Sequence, residues 1–194
     1  MTDFMFLATK NGVRTFERRS DAWHEMAHTL TARQVTSLSV QKNTLLAGTT
    51  VGVFRSDDLG RTWRPMSKGV TTAHVRAVRH HPQEPDIVLL GTEPAAIFRT
   101  DDDAKTWREC PEVARLRDKN GWYLPYSPQA GCVRGFAFYG DRAYAAVEQG
   151  GLLRSDDGGQ TWHLARGSSG NPHEPLPEGF IHNDVHSVMV HPSS

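Results

Sequence analysis

Four short apolar runs in this 194-residue chain open alike, with a valine followed by a side chain that carries polarity or charge: Val35-Thr36, Val75-Arg76, Val133-Arg134 and Val185-His186. If the runs lie side by side in one register, Arg76, Arg134 and His186 converge as two guanidiniums and an imidazole. A planar guanidinium fork pairs bidentately with a carboxylate, phosphate or sulfate, so such a set would hold an oxyanion. The competing arrangement pairs each arginine with an acidic neighbour and needs no ligand. A second cluster is His182-x-Asp184-x-His186. In an extended segment alternate side chains share a face, which would suit a zinc or manganese ion, or general acid–base work by a His–Asp pair.

Two long polar segments carry the remaining candidates. Residues 111–131 contain Trp122, Tyr123 and Tyr126 among glycine and proline. Residues 166–184 contain His173, Glu174, Glu178 and His182. Long connections inside a compact fold are commonly functional. Their aromatic rings either stack on a ligand ring or pack down as a lid. Tyr126, Glu178 and Asp184 are the candidates for catalysis.

The elements that must position these groups are repeats. SDDLGRTW at Ser56–Trp63 returns as TDDDAKTW at Thr100–Trp107 and as SDDGGQTW at Ser155–Trp162. A catalytic motif is needed once, so a recurring phrase points to architecture. A degenerate copy, GVRTFERRSDAW, ends at Trp23. Upstream of each lie short runs rich in Val, Leu, Ile, Phe and Ala, without a sustained helical period. In the second full unit the strands are expected at 75–79, 87–92, 95–100 and 106–110. Four short antiparallel strands recurring about every 40 to 45 residues are the signature of propeller blades. The repeated phrase is then the hairpin turn between third and fourth strands. Ser56 and Asp58 supply acceptors for turn amides, Gly60 allows positive φ, and Trp63 buries aromatic surface.

This phrase, S-x-D-x-G-x-T-W, resembles the Asp-box of BNR-repeat β-propellers, a superfamily that includes sialidases, sortilin-type receptors and other glycoside hydrolases. The match is complete at Ser56, Asp58, Gly60, Thr62 and Trp63, and at Ser155, Asp157, Gly159, Thr161 and Trp162. It is near-complete at Thr100, Asp102, Thr106 and Trp107, where Ala104 replaces glycine. The turn before Trp23 is expected to be reshaped. Asp-rich turns can also be calcium loops, but these lack the further ligands and distal glutamate of an EF-hand.

The expected fold is therefore all-β, a single domain (1–194) of four-stranded antiparallel blades. The units run at about 4–25, 35–66, 74–110 and 132–165, with an orphan inner strand at 184–191. The first unit starts at its second strand. The ring is expected to be incomplete, about four blades of a larger propeller; a four-blade ring closed by the orphan strand and two assembled copies are the alternatives. In a propeller the first strand of each blade lines the axis. Thr36, Arg76, Arg134 and His186 would then ring its mouth, with the Asp-box turns on the far face.

Composition narrows the function. Lys+Arg 22 balances Asp+Glu 22, so neither nucleic acid nor a membrane is expected as a partner. MTDFMFLATK does not read as a signal peptide, so a cytoplasmic location is expected, with Cys110 and Cys132 as reduced thiols rather than a loop-stapling disulfide. No cofactor and no metal is expected. The first functional reading is a binding propeller that takes a small anionic, glycan or peptide ligand at the axial mouth through Arg76, Arg134, His182 and His186, with Trp122 and Tyr123 on the loops. The resemblance implies a second, a sialidase-like glycoside hydrolase. Such enzymes need an arginine cluster, a tyrosine nucleophile backed by glutamate, and an acid. The Arg-Ile-Pro stretch usual in sialidases is missing. Metal-dependent hydrolysis through His182, Asp184 and His186 comes third.

Overall fold

A computed structural model describes residues 3–127 and 130–191. It is built from antiparallel sheets. The first has three strands, β1 (Phe4–Thr9), β2 (Gly12–Arg19) and β3 (Ala22–Thr29). Three four-stranded sheets follow. They are β4 (Val35–Gln41), β5 (Thr44–Thr49), β6 (Gly52–Ser56), β7 (Arg64–Pro65); β8 (Val75–His80), β9 (Val88–Thr92), β10 (Ile97–Thr100), β11 (Arg108–Glu109); and β12 (Cys132–Tyr139), β13 (Arg142–Glu148), β14 (Gly151–Ser155), β15 (His163–Leu164). Within each sheet the strands pair in chain order. Sheets stack face to face, with β4 against β8 and β8 against β12, so β4, β8 and β12 are the inner strands of consecutive blades. The expected propeller of four-stranded blades, with an incomplete ring, is the architecture of the chain.

The sheets bury their alternating apolar faces against one another. One core joins Ile97, Leu89 and Ala77 to Val133, Phe136, Leu153 and Trp162; another joins Leu46 and Val53 to Val78, Leu90, Phe98 and Trp107. The valine that heads each inner strand drops onto a small residue of the preceding blade. A Cβ on Gly48 would sit 2.6 Å from Val75 Cγ1, and one on Gly91 would sit 2.5 Å from Val133 Cγ1. Glycine here sets how closely blades approach.

The repeated turns fasten blade to blade as well as closing their own hairpins. In the turn of Asp58, the Ser56 hydroxyl donates to the Asp58 carboxylate at 2.7 Å and accepts the Gly60 amide at 2.8 Å. Asp58 also accepts the amides of Arg61 and Thr62 and the Thr62 hydroxyl. The same pattern recurs around Asp102 and Asp157. The previous blade then donates to a turn carbonyl each time: Thr29 Oγ1 to Gly60 O at 2.5 Å, Arg55 to Asp103 O at 2.7 Å, and Arg99 to Gly158 O at 3.1 Å. Two consecutive left-handed residues shape each turn, Leu59-Gly60, Asp103-Ala104 and Gly158-Gly159. A Cβ on Gly159 would lie 2.7 Å from Leu89 of the neighbouring blade, so glycine serves both conformation and contact there.

These turns make stability depend on acid pH. The Thr62 hydroxyl, then its amide, hold the Asp58 pKa down to about 2. For Asp102 and Asp157 partial burial pushes upward, but the threonine and serine hydrogen bonds outweigh it and leave both at about 2. An unfolded aspartate titrates near ~3.9. A depressed folded pKa contributes stability above the unfolded value and loses it as pH falls through the folded one. The contribution of these turns to the urea midpoint should therefore be constant above about pH 5 and fall between about pH 4 and 2. Asp58→Asn with Asp157→Asn should flatten that fall, read by urea titration at fixed pH steps.

The structure departs from the sequence reading in four places. Residues 111–131 are not all loop, because Pro111–Asn120 form helix α1. Proline begins the helix, Glu112 lies in its first turn, and Gly121 closes it at φ 59°. Residues 128 and 129 of that segment lie outside the described residues. The strand expected at 184–191 is not a strand, since no other strand pairs with it among the described residues. β3 is a full eight-residue strand that follows the reshaped turn at Ser20 and runs on to Thr29, past the expected end of the first unit. The second full unit keeps its four strands, but β11 contracts to Arg108–Glu109. Both cysteines are free and buried; burial raises the Cys110 pKa to about 12 and that of Cys132 to about 11.

Candidate functional site at the axial mouth

The inner strands share one irregularity. Pairing slips between Val35 and Ser37, between Val75 and Ala77, and between Val133 and Gly135, so Thr36, Arg76 and Arg134 are each the extra residue of a β-bulge. A bulge re-aims its side chain out of the alternating pattern. Here it turns all three toward the axis. Together with Gln34, Val35 and His186 they line a cavity of about 410 Å³.

Asn183–Val190 enters beside β12 as β12 enters beside β8. The Gly151 amide donates to Asn183 O at 2.8 Å, as Ala95 donates to Ala130 O and Gly12 to Arg33 O at two earlier junctions. His186 therefore reaches the register of Thr36, Arg76 and Arg134, although its segment pairs with no strand among the described residues.

The two arginines differ in how they are held. Arg134 Nε donates to Glu148 Oε2 at 2.5 Å, its Nη2 pairs with the same carboxylate, and Nη2 also donates to the Tyr126 hydroxyl at 2.8 Å. Tyr126 in turn donates to Glu148. Burial first, then that bond, raise the Tyr126 pKa to about 12. Arg76 has looser partners, Glu93 at 3.6 Å and His74 Nε2 at 3.5 Å. Burial lowers the His74 pKa, with Glu93 pulling up and Arg76 and Arg134 pulling down. Imidazole is thus the neutral form there at pH 7. Thr36 is committed to structure, donating to Gly48 O at 2.9 Å and Val75 O at 2.6 Å.

Glu93 and Glu148 are the residues the sequence reading missed. Glu148 ends the second strand of its blade and Glu93 directly follows that of its own, and Thr50 occupies the corresponding place two blades before Glu148. Their side chains are 6% and 4% exposed, so each is a buried carboxylate facing an arginine. The signal was a glutamate right after LLGT and AAV, on the rim where the inner strands begin.

Other expectations do not meet at the mouth. Trp122 offers no surface to a ligand: it is 2% exposed in the core, with its indole N–H on Gly170 O at 2.7 Å. Tyr123 is exposed but stacks on His173 at 5.5 Å and does not line the cavity. Glu178 is exposed on its loop, away from the cavity lining. His182 does not join Asp184 and His186 on one face, because its Nδ1 accepts the Asp184 amide at 3.0 Å. His186 instead meets Asp184 at 2.9 Å and Glu148 at 3.9 Å. Glu148, Asp184 and His186 bring ligand atoms within 4.8 Å, yet the Arg134 guanidinium on Glu148 repels a cation there.

No family model matches the chain, and no curated protein matches it. Solved structures do. YCF48 bound to D1 peptide is 15% identical, with a TM-score of 0.50 over 84% of this chain and 55% of that one. The GH74 enzyme of Niastella koreensis is 16% identical, with a TM-score of 0.58 over 84% of this chain and 28% of that one. The GH74 xyloglucanase of Xanthomonas campestris is 12% identical, with a TM-score of 0.56 over 93% and 30%. The chain thus spans about half the YCF48 chain and less than a third of these GH74 chains. At such identities the likeness is one of fold, and these neighbours place the chain among β-propeller proteins.

Proposed function

We infer that the protein is a ligand-binding propeller of the Asp-box kind, whose axial mouth takes the anionic group of a peptide or glycan on Arg76. One observation carries this reading. The bulge aims Arg76 into an open cavity while its nearest carboxylate stands at 3.6 Å, beyond the usual hydrogen-bond range. Its fork therefore has donors to offer. Gln34 and His186 line the same cavity and add polar contacts. Glu93, Glu148 and Asp184 keep the mouth from being strongly positive, which favours a ligand with hydroxyls or amides around its charge over a bare anion. That a propeller of similar fold, YCF48, is seen with a peptide bound supports a peptide as one ligand class.

The test is a calorimetric titration with tripeptides bearing a free carboxylate and with galacturonic acid oligosaccharides. Arg76→Ala should weaken the best binder by at least about tenfold, the value of one charge-assisted bond. Arg61→Ala, on an exposed repeat turn, should not. Equal affinity in wild type and Arg76→Ala ends the proposal.

A second reading is supported by the Tyr126–Glu148–Arg134 triad. A tyrosine whose hydroxyl donates to a buried carboxylate has the base that a glycosidase of the sialidase-like kind requires. With its pKa near 12, Tyr126 is neutral at pH 7 and would need Glu148 to take its proton as it attacked. A fluorogenic sialoside and a panel of aryl glycosides test it. Turnover lost in Tyr126→Phe supports the reading, and no turnover by wild type rejects it.

A further inference from the structure

We propose that the open edge of β1 is completed by residues Val185–Val190 of a second copy of this chain. Two unpaired elements of matching type carry the argument.

The first is β1. It occupies the second-strand position of its blade, because it packs beside β4 as β5 packs beside β8. Its end repeats the end of β5 in detail. Thr9 Oγ1 donates to Gly12 O at 2.8 Å, as Thr49 Oγ1 donates to Gly52 O at 2.8 Å. Thr9 Oγ1 accepts the Asn11 amide at 3.1 Å, as Thr49 Oγ1 accepts that of Val51 at 3.1 Å. β5, however, has β4 on its other side, whereas among the described residues β1 pairs with β2 alone. Its sheet therefore has three strands where the others have four.

The second is the segment itself. Val185-His186-Ser187-Val188-Met189-Val190 reads like Val35-Thr36-Ser37-Leu38-Ser39-Val40, the body of inner strand β4. It sits in the inner-strand position beside β12, yet forms no ladder, and Met189 is 89% exposed. An edge lacking an inner strand and an inner strand lacking an edge are complementary in backbone hydrogen bonding, the interaction that drives strand addition.

The register follows from the β4–β5 pairing, which sets Val35 on Thr49, Ser37 on Gly48 and Leu38 on Ala47. Transferred, Val185 pairs with Thr9, Ser187 with Ala8 and Val188 with Leu7, leaving His186 as the bulged residue. The exchange is reciprocal under a twofold axis, so both edges are consumed and no open chain of copies results. It would also bury Leu7, Trp23 and Met26 of the first sheet, exposed at 40%, 44% and 43%.

The experiment is solution mass together with a designed cross-link. Light scattering on the wild-type chain should give twice 21.6 kDa. Val188→Pro alters no strand of the chain, so it should return the mass to 21.6 kDa with an unchanged far-ultraviolet spectrum. Leu7→Cys with Val188→Cys should form, on oxidation, a disulfide between chains, since directly opposed residues lie roughly 4.5–5.5 Å apart at Cα. A wild-type mass of one chain overturns the proposal. So does a disulfide within one chain, which would mean that the segment closes its own ring.

Discussion

Arg134→Ala is expected to destabilise the protein by about 3–5 kcal/mol, because it strands the buried Glu148 carboxylate. Glu148 is 4% exposed, and its cation is Arg134. The Tyr126 hydroxyl remains as a donor but carries no charge. Urea titrations of wild type and Arg134→Ala at pH 7 measure the cost of leaving that buried carboxylate without its cation. A second substitution, Glu148→Gln, should recover part of the loss in the Arg134→Ala background, since it removes the stranded charge. A mutant destabilised by less than about 1 kcal/mol, with no recovery from Glu148→Gln, would mean that the pair is not the buried ion pair it is drawn as.

Trp162→Ala is the other large effect, about 3–5 kcal/mol, the range for truncating a buried aromatic. Trp162 is 3% exposed and faces Phe136 at 6.2 Å between ring centres. Its backbone amide donates to Glu112 of α1 at 2.9 Å, and its indole N–H to Gly159 O at 3.1 Å. One residue thus joins blade, turn and helix. Trp63 makes the same indole bond to Gly60 O but packs on the three-stranded sheet and is only half-buried. Trp63→Ala should therefore cost clearly less than Trp162→Ala, as read from urea midpoints. Equal costs would mean that the turns act locally and that blade-to-blade packing does not distinguish them.

The sequence disclosed what is periodic. The turns ending in Trp63, Trp107 and Trp162 repeat because each must satisfy the same amides and bury the same ring, so their pattern is visible without coordinates. The common register of Thr36, Arg76, Arg134 and His186 was legible for the same reason. What the sequence concealed is not periodic. Glu93 and Glu148 end runs that read as apolar strands, and only the bulge reveals that they face arginines. α1 has few apolar residues; Val113 is its buried one, with Leu116 packed alongside, so its helical period is faint. Trp122 looked like a loop aromatic, but the turn after α1 folds it inward, where Gly170 takes its N–H. Asn183–Val190 shows the limit from the other side: its residues read as a strand, but a strand also needs a partner, which lies outside the segment.

The account rests on Arg76 being the cation that a ligand seeks. Arginine side-chain Nε–H resonances, followed by NMR while a tight-binding acidic tripeptide or galacturonate oligomer is added, test this most directly. A saturable shift of Arg76, with the buried Arg99, which is paired with the exposed Asp101, unmoved, is the predicted result. Saturable shifts confined to the rim of the repeated turns around Asp58 and Asp157, with Arg76 unmoved, would contradict it.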